Sequence, residues 1–135
     1  MSDVTVAPVA AKKLLDFVID GVAMQAEDGQ TVIQAARANG VDIPHFCWHP
    51  QLSVPGNCRI CMVEIEQDSG DPWFDIACNM PVTAGMRVLT KSEKIKTLNQ
   101  DTMQFITLNH PVDCGVCNKS GECLLQDYHY ELNGA

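Results

Sequence analysis

The seven cysteines of this chain, together with one of its four histidines, fall into two boxes. Cys47, Cys58, Cys61 and Cys78 follow the spacing Cys-x10-Cys-x2-Cys-x16-Cys. His110, Cys114, Cys117 and Cys123 follow His-x3-Cys-x2-Cys-x5-Cys, and no cysteine is left over. Thiolates so spaced, several of them in glycine-bearing loops, can ligate iron–sulfur clusters. Two such groups in one short chain would make it a carrier of single electrons. An odd number of cysteines argues against a disulfide framework and for metal ligation.

Other chemistries use the same residue types. A four-cysteine zinc site usually joins two short Cys-x2–4-Cys hairpins, and each box has only one. A thioredoxin-like redox pair at Cys58 and Cys61 would need a strand–helix setting, but this pair runs into a strand-like segment. Cys47-Trp48-His49 imitates half of a Rieske centre whose Cys-x2-His half is missing, so His45 and His49 read as loop residues. A lone histidine beside cysteines is, by itself, more often structural than ligating. If only Cys114, Cys117 and Cys123 bound a cluster, the open iron could act as a Lewis acid or cleave S-adenosylmethionine. That chemistry needs a substrate cavity, and the residues after Leu108 are too few to build one. No glycine-rich nucleotide fingerprint, Ser/His/Asp set or paired carboxylates stand elsewhere, so no catalytic residue is assigned.

The elements that must hold these boxes are legible in part. Residues 1–13 form a small-residue tail with Pro8, expected to be mobile. Leu15–Ile19 and Val22–Ala26 alternate as strands about Asp20-Gly21, a strong hairpin signal. Thr31 and Gln34 make a capping box for a helix over roughly 31–39, with Gly40 at its C-terminal end. Residues 45–61 hold two prolines, a glycine and three cysteines, the composition of a loop shaped around something. Gly56, two residues before Cys58, lets backbone N–H groups approach the sulfurs. Strands are expected over 62–66, 73–77 and 87–90, and Ser92 caps a second helix, roughly 93–108, that Pro111 ends. His129, Tyr128 and Tyr130 lie in a tail suited to packing or partner contacts. The order ββαβββ makes the fold class α+β, a grasp-like mixed sheet with one helix across it.

Composition narrows the function classes. A formal net charge of −8 lacks the basic footprint that nucleic acid demands. An acidic surface can dock a basic patch on a partner, or simply keep the chain soluble. No run of apolar residues is long enough to span a membrane, and the N-terminus lacks the charge order of a secretory signal. These features predict a cytoplasmic protein.

The loop Cys58-Arg59-Ile60-Cys61 running into a strand resembles [2Fe–2S] ferredoxins over residues 14–90. Plant-type members separate the first two cysteines by four residues, but the ten-residue gap here is similar to the ferredoxin modules of respiratory complex I and NAD-linked or iron hydrogenases. His110-Pro111-Val112-Asp113-Cys114-x2-Cys117-x5-Cys123, followed by Leu125-Gln126-Asp127, resembles the one-histidine, three-cysteine segment of the complex I G subunit. The resemblance implies a β-grasp [2Fe–2S] domain over 14–90, with Cys47, Cys58, Cys61 and Cys78 as ligands. It implies a linking helix and [4Fe–4S] segment over 91–135, with His110, Cys114, Cys117 and Cys123 as ligands. It further implies an electron-transfer subunit or fragment relaying single electrons from an NADH-oxidising FMN subunit toward quinone, in the peripheral arm of a membrane-associated complex. The diaphorase-type subunits of NAD-reducing hydrogenases and formate dehydrogenases share both boxes and form the alternative. A zinc-stabilised assembly module is a third reading. Family members continue into further domains, so the chain is either a fragment or a short subunit.

Overall fold

The structure, a computed structural model, describes residues 13–133, so the predicted tail lies almost wholly outside the described residues. Strands β1 (Leu14–Ile19) and β2 (Val22–Glu27) form the expected hairpin. Asp20 and Gly21 both take positive φ, 49° and 82°, the backbone that a tight hairpin turn requires. Alternate residues Leu15, Phe17 and Ile19 of β1 point into the core.

Helix α1 (Val32–Ala38) follows, with Thr31 at its N-cap. Gln34 Oε1 accepts from the Thr31 backbone N–H at 3.0 Å, and the Thr31 side chain faces the Gln34 N–H, which makes the predicted capping box. At the other end Gly40, at φ +79°, allows its own N–H to reach the Arg37 carbonyl and that of Val41 to reach Ala36. The chain then runs without regular structure to β3 (Met62–Glu66), β4 (Trp73–Ile76) and β5 (Arg87–Leu89).

The five strands form one sheet in the order β2-β1-β5-β3-β4. The central β1–β5 pair is parallel and every other pair is antiparallel, which is the mixed sheet expected. Val32, Ile33, Ala35 and Ala36 of α1 join Phe17, Ile19, Val63, Ile65 and Val88 of the sheet in one apolar core, which also takes in Trp48, Cys61 and Cys78.

Helix α2 (Glu93–Thr107) leaves the sheet through Ser92, whose Oγ accepts from the Ile95 N–H at 3.3 Å. The same hydroxyl donates to Glu64, a carboxylate buried under the start of α2. Ser92→Ala removes both a cap and the partner of a buried carboxylate, and is expected to cost about 2 kcal/mol. A lower denaturant midpoint with unchanged slope would register it.

A third helix, α3 (Leu124–Asn133), replaces the irregular tail expected at the C-terminal end. It packs on α2, where Gln100 Nε2 donates to the Leu132 carbonyl at 2.7 Å. Ile60, Met103 and Tyr128 form a second small core there, with Phe46, Leu125 and Leu132 against it. Among the described residues no helix is long and apolar enough to cross a membrane.

Candidate metal centres

The first box sits at one end of the sheet, on three segments fixed from different directions. Upstream of Cys47, the His45 ring nitrogen Nδ1 lies 2.7 Å from the Ile43 carbonyl, and its ring meets Trp48 edge-on at 5.2 Å. The Arg37 guanidinium lies over the same indole, 5.7 Å from its centre. His49 Nδ1 accepts from the Gln51 N–H, so both loop histidines are turned to their own backbone, as the sequence implied. Cys78 follows β4 in a turn whose Ala77 and Met80 carbonyls accept from the Ile33 and Val32 N–H groups at the start of α1. Donors that a helix terminus leaves orphaned thus hold the Cys78 turn in place.

Between these flanks Gly56 and Arg59 adopt φ of +65° and +63°. The bend aims the backbone N–H groups of Gly56, Asn57 and Cys58 at the Cys47 sulfur. Glycine is nearly required at 56, since a Cβ there would lie 3.1 Å from Ile76 Cδ1. Arg59 in that conformation carried no signal in the sequence, because such backbone is normally a glycine or asparagine trait. Ile60 turns inward between Cys58 and Cys61 and is fully buried.

The sulfurs come together as two pairs. Cys58 is the side chain that stabilises the Cys47 thiolate, and Cys78 the one that stabilises the Cys61 thiolate. Burial alone would raise the Cys47 thiol, but the N–H donors and the Cys58 thiol outweigh it and hold it below its ordinary value. Burial pushes Cys61 up, against the hydrogen bonds from Cys78. Cys78 is pushed up to about 12, first by burial and then by the negative charge that Cys61, Cys47 and Cys58 would carry. Among the described residues no three His, Cys, Asp or Glu side chains converge as they would on a single ion. The pairing of the sulfurs of this box suits a cluster with a metal at each pair.

The second box is built by turns. A 3₁₀ turn over Cys114–Val116 follows Asp113, and the Ser120 N–H closes a further turn on the Cys117 carbonyl. The Lys119 N–H already points at Cys117 Sγ, 3.4 Å away. His110, Cys114, Cys117 and Cys123 all line one cavity of about 150 Å³. Every residue from Leu108 to Glu122 is exposed, so no apolar core of its own organises this stretch. His129, assigned to a tail by the sequence, shares an adjoining cavity with His110, Cys114 and Cys123. Nothing at the sequence level indicated that, because no capping residue marks the helix that carries it.

Backbone donors aimed at sulfur and thiols gathered in pairs are the environment that iron–sulfur clusters need. Residues 12–93 match the family described as 2Fe-2S iron-sulfur cluster binding domain. The chain belongs to that family.

Beyond this [2Fe–2S] domain, residues 100–134 match the NADH-ubiquinone oxidoreductase-G iron-sulfur binding region, a [4Fe–4S] region. The cofactors of the two matched regions are therefore a [2Fe–2S] and a [4Fe–4S] cluster. The chain is 41% identical over 114 residues to the G subunit of the NADH-quinone oxidoreductase of Rickettsia prowazekii, a stretch covering 84% of this chain and 16% of that protein. It is equally similar to the mitochondrial NADH dehydrogenase [ubiquinone] iron-sulfur protein 1 of Solanum tuberosum, at 41% identity over 84% of this chain and 15% of the relative. Among solved structures, a chain of an NAD+-reducing [NiFe]-hydrogenase in the H2-reduced state superposes with a TM-score of 0.80 at 33% identity, covering 90% of this chain and 50% of that one. The chain thus spans about one-sixth of the length of the curated relatives it matches.

Proposed function

We propose that this chain is the iron–sulfur part of a complex I-type NADH dehydrogenase, relaying single electrons from an NADH-oxidising FMN subunit toward quinone in the peripheral, cytoplasmic arm of a multi-subunit complex. The observation that carries the reading is the succession, within one chain, of a [2Fe–2S] domain and a G-type iron-sulfur region. When bound, each cluster would take up and give up one electron. The reading divides the chain into a ferredoxin-like unit over 14–90 and a helix with the second binding segment over 91–135.

Cys47 and Cys58 would hold one iron of the [2Fe–2S] cluster, and Cys61 and Cys78 the other, following the two sulfur pairs. The N–H groups of Gly56, Asn57 and Cys58 stabilise the charged sulfur of Cys47. Burial of Cys61 and Cys78 keeps water from the inner pair, whereas Cys47 and Cys58 are half-buried and form the side from which a partner would be reached. His110, Cys114, Cys117 and Cys123 would hold the [4Fe–4S] cluster, the neutral imidazole lowering its net charge relative to four thiolates.

Iron and acid-labile sulfide analysis with EPR during stepwise reduction tests the reading. Six irons and six sulfides per chain with two distinct signals are expected, and zinc without sulfide would overturn it. His110→Cys is expected to keep four irons in the second box while changing its signal; an unchanged spectrum would remove His110 from the ligand set. The structural likeness to the hydrogenase chain favours a second reading, a small electron-transfer subunit of an NAD-reducing hydrogenase. Co-purification with a quinone-reducing or a hydrogen-oxidising assembly separates the two.

Proton linkage supplies a further expectation. A thiol whose pKa is raised, as at Cys78, favours the metal-free fold as long as it stays protonated. That contribution is complete below about pH 9 and is lost as pH rises toward about 12. Iron needs the thiolate, so binding must displace the proton, and retention of the [2Fe–2S] cluster is expected to weaken as pH falls from about 9 to about 6. Each displaced proton contributes about tenfold per pH unit. Chelator-driven release followed across that range checks this, and a flat profile contradicts it.

A further inference from the structure

The two boxes lie in different parts of the chain, yet one small core touches both. Ile60, between Cys58 and Cys61, is completely buried against Met103 of α2 and Tyr128 of α3. The residue just before Cys47, Phe46, packs there too, its ring 5.4 Å from that of Tyr128 at an interplanar angle of 66°. The Tyr128 hydroxyl accepts from the His45 N–H at 3.4 Å. Tyr128 therefore contacts the first box on both sides of its loop. It is also carried by the helix that begins immediately after Cys123, the last residue of the second box.

Helix α3 has 10 residues, too few to be stable alone in water. Its N-terminus follows directly on the second box: the Asp127 N–H donates to the Cys123 carbonyl, and the preceding residues 108–122 are all exposed. Its other support is the packing of Leu125, Tyr128 and Leu132 and the bond from Gln100. A cluster held by Cys123 would fix that residue and with it the start of α3.

We propose that Tyr128 is a positioning residue for the [2Fe–2S] cluster, clamping the loop of Cys47, Cys58 and Cys61 from α3, so that occupation of the second box tightens the grip of the first. The inference rests on the two-cluster reading above. Tyr128 transmits order through Phe46 and Ile60, not charge, and its ring matters more than its hydroxyl.

The test uses the holoprotein and follows release of the [2Fe–2S] cluster to an iron chelator by visible circular dichroism, with the EPR signal of the reduced cluster as a second readout. Tyr128→Ala is expected to speed release about tenfold and to broaden the EPR signal. Tyr128→Phe, which keeps the ring, is expected to restore wild-type release and line shape, and Glu131→Gln on the exposed face of α3 to leave both unchanged. The double variant Cys114→Ser/Cys117→Ser empties the second box while leaving every residue of the shared core in place, and it is expected to reproduce the Tyr128→Ala rate. Wild-type release in that double variant, with two irons still bound, overturns the inference and leaves the two-cluster reading standing. Should Tyr128→Ala fail to fold, the double variant decides alone. Zinc without sulfide in the wild-type chain would overturn both.

Discussion

Stripping the chain of iron with a chelator and a reductant is expected to abolish its cooperative unfolding transition and to erase protection from hydrogen exchange in residues 45–61 and 108–133. The reason is one of magnitude. Metal binding to sites that exist only in the folded chain contributes on the order of 10 kcal/mol in small metal-stabilised domains, comparable to the entire stability of a domain this size. The two regions singled out have little else: residues 108–122 are exposed throughout, and the loop before β3 has no regular backbone pairing. The sheet differs. Phe17, Ile19, Val63 and Val88 pack with α1 in an apolar core of which only Cys61 and Cys78 are candidate ligands, so β1–β5 are expected to keep partial protection. A single sharp metal-free transition with protection intact across both regions would refute this.

Ile60→Ala is expected to cost about 3 kcal/mol, the middle of the range for a fully buried branched residue truncated to alanine. The site is poorly able to collapse, because Met103 and Tyr128 come from separate helices and the positive φ of Arg59 already fixes the path of the neighbouring backbone. The loss should appear as a lower denaturant midpoint and as lower [2Fe–2S] content after purification, with the [4Fe–4S] signal less affected. Arg59→Gly offers the opposite case, since glycine accepts that backbone freely and the change relieves strain. If Ile60→Ala left the midpoint unmoved, the second core would have no energetic weight.

Local chemistry wrote part of this fold openly in the sequence. Asp20-Gly21 specified the first hairpin, Thr31, Gln34 and Gly40 bounded α1, and Ser92 marked the start of α2, because each of these signals acts within a few residues. Glycine at position 56 was legible for a like reason: one residue without a Cβ next to a cysteine implies a close backbone approach. Helix α3 was not legible, since it starts directly after Cys123 without a Ser, Thr or Asp cap and its buried tyrosine finds its partners at Phe46 and Ile60, far away in sequence. The burial of Glu64 was not legible either, because it depends on Ser92, a tertiary contact that no strand pattern encodes. The cysteine spacing, by contrast, marks all eight candidate ligands openly, because chelation demands particular residue types and not merely apolar ones.

The parallel pairing of β1 with β5 bears on how the protein is made. Val18 lies beside Arg87 in the middle of the sheet, and every cysteine of the first box falls in the chain between those two strands. During synthesis from the N-terminus, the hairpin and α1 can form early, but the central strand that joins the two halves of the sheet arrives last. Closing so long a connection is slow, because its entropy must be given up before the pairing rewards it. The pocket for the first cluster is therefore complete only after the ribosome has released the segment through Leu89. A donor delivering iron and sulfide earlier would meet cysteines on an open chain, so maturation of this domain belongs after β5 has emerged and paired with β1.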